Sequence, residues 1–380
     1  MRKIRISELQ PDMVIAKPVY GADGQLLLNV GVKIMPGYVR QLERLGIPAV
    51  YIADERMSGV VVDDVVSDRT RLNATAAVRD VLDAVRVRTQ KELSRSVVFA
   101  DEEIRSAMNR IIDDLLRNPN VVISLTDIRT NDDYTFGHSV NVAILCVMMG
   151  MAMNYNEARL HDLGLGAIMH DIGKVRLPEA ILKKQGPLTP AELEEMQKHP
   201  TYGFNILRSQ PNLSILTAHV AYQHHERLNG EGYPRRLRAG EIHEFARIAA
   251  VADVYDALVT DRVTRRGFTP GEALQMLQGI SQYYDQDAVK ALAGCVALYP
   301  VGTLVELNTR EQGLVTSTRK GASDRPTVRV VYDWSGQELK RPYDVDLYLQ
   351  NDLFITKTVF RTAPGAQPES ARFEGVRQLL

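Results

Sequence analysis

The chain has 380 residues, 46 basic against 47 acidic side chains, and a formal net charge of −1, with 45% hydrophobic and 24% charged residues. That is the make-up of an ordinary globular protein with room for two or three domains. It argues against a surface given over to a nucleic-acid backbone, which needs a net basic face. The two cysteines, Cys146 and Cys295, make no disulfide framework and fit a reducing compartment.

In chain order, residues 1–60 read as a small α+β domain. Val14 to Tyr20 and Gln25 to Val30 are strand-like, separated by the turn signal Gly21-Ala22-Asp23-Gly24. Pro36 to Leu45 reads as a helix, with Gly46 just past its end, and Pro48 to Ile52 as a short strand. The basic N-terminus meets charge and Pro11 before any apolar stretch, so it does not read as an export signal. Residues 61–120 read as a linker followed by connecting helices. One runs from Thr70 to Arg95; another begins at Asp101-Glu102-Glu103 and carries an apolar stripe through Ile104, Met108, Ile111 and Leu115.

Residues 121–350 read as the main domain, helical to about 298 and then a β tail from 299. The longest apolar run, Val142 to Met153, is too short for a bilayer and reads as a buried helix. Thr189-Pro190-Ala191-Glu192 is a capping box. Strands are predicted at Thr303–Leu307, Gly313–Ser317, Thr327–Tyr332 and Asp344–Leu349, and 351–380 reads as a polar tail. The fold class is therefore mainly α, with an N-terminal α+β domain and a short C-terminal β unit. No segment reads as a membrane span, and a cytoplasmic location is expected.

The histidines are unevenly placed. All eight lie between His138 and His243, and the first and last 137 residues hold none. His138 opens the long apolar helix; His170-Asp171 precedes Lys174; His199 precedes Pro200; His224-His225-Glu226 precedes Gly232-Tyr233-Pro234; Asp253 interrupts an apolar helix. Imidazoles and carboxylates without thiolates suit Mn, Fe, Ni or Zn at a catalytic site better than a structural zinc. On a helix, adjacent His170 and Asp171 would point about 100° apart and could serve two ions, with Lys174 sharing their face. Asp253 among Val251, Ala252 and Val254 is costly to bury unless paired or ligated. Two adjacent ions would clamp an in-line displacement at phosphorus. Taken singly, each of these signals has a plainer explanation as a cap, a core polar group or a surface charge. His161, His219 and His243 read as structural, as do Cys146 and Cys295.

The ordered set resembles the HD-GYP family of the HD superfamily of metal-dependent phosphohydrolases. His170-Asp171 matches its HD pair and Gly232-Tyr233-Pro234 its GYP signature, over roughly residues 121–350. Residues 1–53 resemble the small domain of unknown function that often precedes such modules in bacteria. The resemblance implies a phosphodiesterase that hydrolyses cyclic di-GMP to linear pGpG, with further cleavage to GMP in many members and either end product open here. It implies metal ligands at His138, His170, Asp171, His199, His224, His225 and Asp253, with Asp171 bridging and catalytic. It also implies a substrate-phosphate contact at Lys174, further phosphate contacts at Arg262 and Arg265, and a partner-facing loop at Gly232, Tyr233 and Pro234.

The implied cofactor is a pair of divalent ions, Fe or Mn before Ni, Zn or Mg. The implied partners are cyclic di-GMP, diguanylate-cyclase proteins and a second copy of the chain. Tyr134 stands where some members place a glutamate for a third ion, with Asp132 and Asp133 just outside that position, which favours two ions. Asn229 replaces a common aspartate before the GYP motif. The alternatives are an HD-type nucleotide phosphohydrolase and a non-catalytic receptor or adaptor for cyclic di-GMP.

Overall fold

The structure, a computed structural model, describes residues 1–21, 25–47, 49–60, 65–87, 101–118, 122, 134–184, 186–260 and 267–359. Ala22–Gly24 of the first turn signal, residues 88–95 of the first connecting helix, Asp132, Asp133, Arg262 and Arg265 lie outside the described residues.

The N-terminal unit pairs β1 (Arg2–Arg5) with β4 (Ala49–Ile52), and β2 (Val19–Tyr20) with β3 (Leu26–Leu28), both antiparallel. Helix α1 (Pro36–Arg44) starts on its proline and ends before Gly46, whose φ of 69° suits glycine. β1 is absent from the sequence reading because its apolar content, Ile4 followed by Ile6 in the next turn, is masked by three basic neighbours. Both isoleucines are nonetheless buried in the unit's core with Ile15, Val19, Leu42 and Val50.

Helices α2 (Asp68–Arg86) and α3 (Asp101–Arg117) lie where connecting helices were expected within 61–120. Ser67 caps α2 by accepting from the Thr70 amide. Its buried Ala74, Val78, Val81 and Val85, with Ile104, Met108, Ile111 and Leu115 of α3, join one continuous core with the main helical domain. A stripe of that width is a packing face, and the helix after it supplies the surface that covers it.

That core centres on α4 (Tyr134–Ala152), buried on nearly all sides from Val140 to Met149. Around it pack α5 (Glu157–Ile168) and, after the short helices α6 (Glu179–Leu182) and α7 (Pro190–Met196), α8 (His199–Leu207) and α9 (Ile215–Gln223). Helices α10 (Glu244–Val259), α11 (Pro270–Gly279) and α12 (Gln286–Cys295) complete the bundle. The capping box at Thr189/Glu192 is present, and Thr269/Glu272 forms another at the head of α11. Cys146 and Cys295 are both buried in this core.

The chain ends in a five-stranded antiparallel sheet of order β8-β7-β6-β5-β9, from β5 (Leu304–Leu307), β6 (Gln312–Ser317), β7 (Thr327–Tyr332), β8 (Glu338–Asp346) and β9 (Ile355–Thr358). Two expectations are corrected. The fourth strand runs earlier than Asp344–Leu349, because β8 is an exposed edge strand whose polar residues and Pro342 hide it from an apolar-pattern reading. The tail placed at 351–380 contributes β9, which pairs with β5 and closes the other edge of the sheet.

The two end units touch. Arg56 donates to the Tyr332 hydroxyl at 2.6 Å, Arg329 donates to the carbonyls of Arg56 and Ser58, and Met57 is buried against Leu314, Val331 and Tyr332. Among the described residues, no helix is long and apolar enough to cross a membrane.

Candidate metal centre

His138 sits in the first turns of α4. His170 and Asp171 follow the end of α5. His199 is the first residue of α8, His224 and His225 follow α9, and Asp253 lies in α10. These seven side chains, 115 positions apart at the extremes, converge in one buried place. Three overlapping groups have donor atoms within 4.8 Å of one another: Asp171 with His199, His224 and His225; His138 with His170 and Asp171; and His170 with His224 and Asp253. Lys174 stands beside them, and Gly232, Tyr233 and Pro234 form a loop against His225. Among the described residues, His161, His219 and His243 enter none of these groups; His243 instead caps α10 by accepting from the Phe245 amide.

The HD pair departs from its helical expectation. α5 ends at Ile168, and Ile172–Arg176 is a 3-10 turn capped by Asp171, with the Lys174 amide donating to the Asp171 carbonyl. The tighter turn brings Lys174 Nζ to 2.5 Å from Asp171 Oδ2. It is also what lets the segment lie on α8. A Cβ on Gly173 would fall 1.9 Å from the His199 carbonyl oxygen, so only glycine permits this approach.

The rings are aimed from behind. Nδ1 of His170 lies 2.7 Å from the Ala167 carbonyl, that of His199 2.7 Å from the Met196 carbonyl, and that of His224 3.0 Å from the Ala221 carbonyl. Nδ1 of His138 lies 2.7 Å from Asp256 Oδ2. Each acceptor places the proton on Nδ1 and leaves Nε2 to face the centre. There, Nε2 of His199 and His224 stand 3.4 Å apart, and His138 Nε2 is 3.1 Å from Asp253 Oδ1. Asp171 faces both ways: Oδ1 is 3.4 Å from His199 Nε2, and Oδ2 is 3.4 Å from His170 Nε2.

Asp256 is the residue the sequence reading missed. It is fully buried, and its second oxygen accepts from Asn141 Nδ2 at 2.8 Å, while Asn141 in turn accepts from Arg71 of α2. The available signal was a second acid three positions after Asp253 on an otherwise apolar helix, which places both on one face.

Charge and burial prepare this set for a cation. Burial lowers the pKa of His199 to about 4, and burial with neighbouring imidazoles holds His224 and His225 well below 6.5. Burial would raise Asp171 and Asp253, but Lys174 and His170 hold the first well below 3.8, and His138 holds the second down. Burial would lower His138, yet the hydrogen bonds to Asp253 and Asp256 raise it well above 6.5. The centre thus presents neutral imidazoles at His199, His224 and His225 and ionised carboxylates at Asp171 and Asp253, the protonation states that metal ligation needs, while His138 is held as the cationic partner of Asp253 and Asp256 until an ion displaces its proton. Two buried atoms that point into it, His170 Nε2 and Asp171 Oδ1, have no hydrogen-bond partner among the described residues. Buried polar atoms are ordinarily paired, so these two fit ligation by an ion.

The fold and site define a helical domain built around a buried His/Asp centre suited to divalent metal. Residues 120–288 match the model of the HD domain, and residues 304–363 that of the KOW domain associated with HD domain. The helical domain is thus similar to the HD domain family over those residues. The chain is 35% identical over 218 residues to a cyclic di-GMP phosphodiesterase of Pseudomonas aeruginosa (57% of this chain, 53% of that one). It is 34% identical over 224 residues to a cyclic di-GMP phosphodiesterase of Thermotoga maritima (58% and 60%). It is 34% identical over 168 residues to 3'3'-cGAMP-specific phosphodiesterase 3 of Vibrio cholerae (44% and 36%). The chain therefore spans little more than half the length of the first two relatives.

Proposed function

We propose that this protein is a metal-dependent phosphodiesterase that hydrolyses cyclic di-GMP to pGpG, with product analysis deciding between pGpG and GMP as the end product. The observation that carries the reading is the convergence of His138, His170, Asp171, His199, His224, His225 and Asp253, with the buried His170 Nε2 and Asp171 Oδ1 at its middle, neither hydrogen-bonded among the described residues. With Asp171 Oδ1 toward His199 and Oδ2 toward His170, Asp171 would be shared by two ions, the first held with His199, His224 and His225 and the second with His138, His170 and Asp253. Mixed imidazole and carboxylate donors favour Fe or Mn.

Bound there, such a pair supplies Lewis acidity toward a phosphodiester and a water of lowered pKa. The chain's own part is to fix the donors, to keep His199, His224, His225, Asp171 and Asp253 deprotonated by burial and pairing, and to bring a cation, Lys174, to the edge of the centre where a substrate phosphate would lie. Arg262 and Arg265, outside the described residues, are assigned further phosphate contacts on the resemblance alone. Local cations of this kind suffice for an anionic ligand on a chain of net charge −1.

The test is metal analysis of anaerobically purified protein, with product analysis on cyclic di-GMP and, because of the Vibrio relative, on 3'3'-cGAMP. Asp171→Ala is expected to lose both metal and turnover. Hydrolysis retained by a variant without metal sinks the reading, and faster turnover of 3'3'-cGAMP reassigns the substrate.

A further inference from the structure

His225 is held differently from its partners. Four of the five converging histidines have Nδ1 tied to an oxygen of the protein. Among the described residues no such tie reaches His225, whose surroundings are rings. The Tyr233 ring stacks on it at 4.6 Å between centroids and 23° between planes, while His199 meets it edge-on at 5.0 Å and His224 lies tilted at 4.1 Å.

The loop carrying Tyr233 is fastened against the same segment. The Tyr233 amide donates to the His225 carbonyl at 3.2 Å. A Cβ on Gly232 would fall 2.3 Å from the Arg227 amide nitrogen and 2.5 Å from the His225 carbonyl oxygen, so glycine is required for this contact. Beyond Pro234, the buried Glu226 carboxylate accepts from the Arg235 amide at 2.8 Å and the Leu237 amide at 2.9 Å. Glu226, adjacent to His225 in the chain, thus pins the loop at its far end. Gly232, Glu226 and the Tyr233 amide together leave the tyrosine ring little choice but the face of His225.

We propose that Tyr233 is a positioning residue for His225, its stacked ring replacing the hydrogen bond that aims the other four histidines. The GYP motif then serves the centre from within the chain. Its glycine allows the approach, its tyrosine orients the ligand, and the segment after its proline is locked by Glu226. This rests on the metal-centre reading of Proposed function and assigns the loop a role separate from partner binding.

The experiment is titration of anaerobically purified full-length protein with Mn²⁺ against a competing chelator, with Co²⁺ absorption spectra as a second readout of ligand geometry. Tyr233→Phe keeps the ring and is expected to bind Mn²⁺ like the parent. Tyr233→Leu is expected to bind it 10- to 100-fold more weakly, the usual loss on removing a ligand's supporting group, and to alter the Co²⁺ spectrum. Phe204→Leu, which removes a ring stacked on Tyr222 at 4.5 Å outside the centre, is expected to leave both readouts unchanged.

A cycle with His225→Ala separates positioning from a general folding defect: Tyr233→Leu should weaken binding no further once His225 is gone. Losses that simply add, a Tyr233→Leu variant that binds like the parent, or a Tyr233→Phe variant as weak as Tyr233→Leu would each overturn the proposal. A parent protein that takes up no Mn²⁺ would instead refute the metal-centre reading.

Discussion

Gly173→Ala tests whether the approach of the HD turn to α8 sets the centre. The added Cβ would lie 1.9 Å from the His199 carbonyl oxygen, 2.5 Å from the Gly203 amide nitrogen and 2.9 Å from the His199 carbonyl carbon. All three are backbone atoms, so no side chain can turn aside, and ordinary contact requires the two segments to part by more than an ångström. Overpacking of this kind costs about 3 kcal/mol at the upper end of its usual range, which corresponds to a fall in Tm of roughly 6–12 °C for a domain of this size. The same displacement separates Asp171 Oδ1 from His199 Nε2, now 3.4 Å apart. A misplacement of about 1 Å can cost on the order of 100-fold in rate.

Gly203→Ala is the matched control on the facing helix. Its Cβ would meet Ala221 Cβ and the Gly173 amide nitrogen at 3.4 Å, ordinary contacts, and alanine in a helix is favoured by about 0.5–1 kcal/mol. Thermal melting, metal content and kcat/KM on cyclic di-GMP should therefore move down together for Gly173→Ala and stay level or improve slightly for Gly203→Ala. Parent-like metal content and kcat/KM in Gly173→Ala would refute the reasoning, as would equal damage from both substitutions.

Two other outcomes follow from the centre's supports. Asp256→Asn keeps the shape but must turn an NH₂ toward either His138 or Asn141, both donors to the present carboxylate. Mn²⁺ affinity should fall 10- to 100-fold while the chain stays folded, and unchanged affinity would show that His138 needs no carboxylate behind it. In chelated, metal-free protein, His199 at about 4 and His224 and His225 well below 6.5 bind fewer protons folded than unfolded between those values. Stability should then fall as pH drops from about 6.5 toward 4. His138, with its raised pKa, opposes this, since its contribution is present at low pH and is lost only as pH rises through the raised value. Asp171 and Asp253 hold theirs until pH falls below about 3.8. Melting curves of the chelated protein at pH 7.5, 6 and 5 check the sign, and a Tm that rises on acidification contradicts it.

Which residues can serve a metal was legible in the sequence, because donor chemistry belongs to the residue type. His138, His170-Asp171, His199, His224-His225 and Asp253 stand out as metal-donor types within or beside apolar stretches without any knowledge of where those stretches go. The caps at Pro36 and Thr189 were equally legible, since a cap is settled within four residues. The tertiary structure alone decided the rest, because it depends on backbone approach and on partners distant in the chain. The HD segment is a 3-10 turn rather than a helix because Gly173 rests on the His199 backbone. Helices α2 and α3 belong to the main core because their apolar stripes meet α4 and α5. β1 and β9 are strands because distant neighbours pair with them, and β8 because β7 of the same hairpin does, not because their own patterns alternate. Asp256 and Tyr233 gain meaning only from the rings they hold, 118 positions away in one case and 8 in the other. The sequence thus determined the donors by their chemistry, and the fold decided their aim, since direction in space is a property of packing.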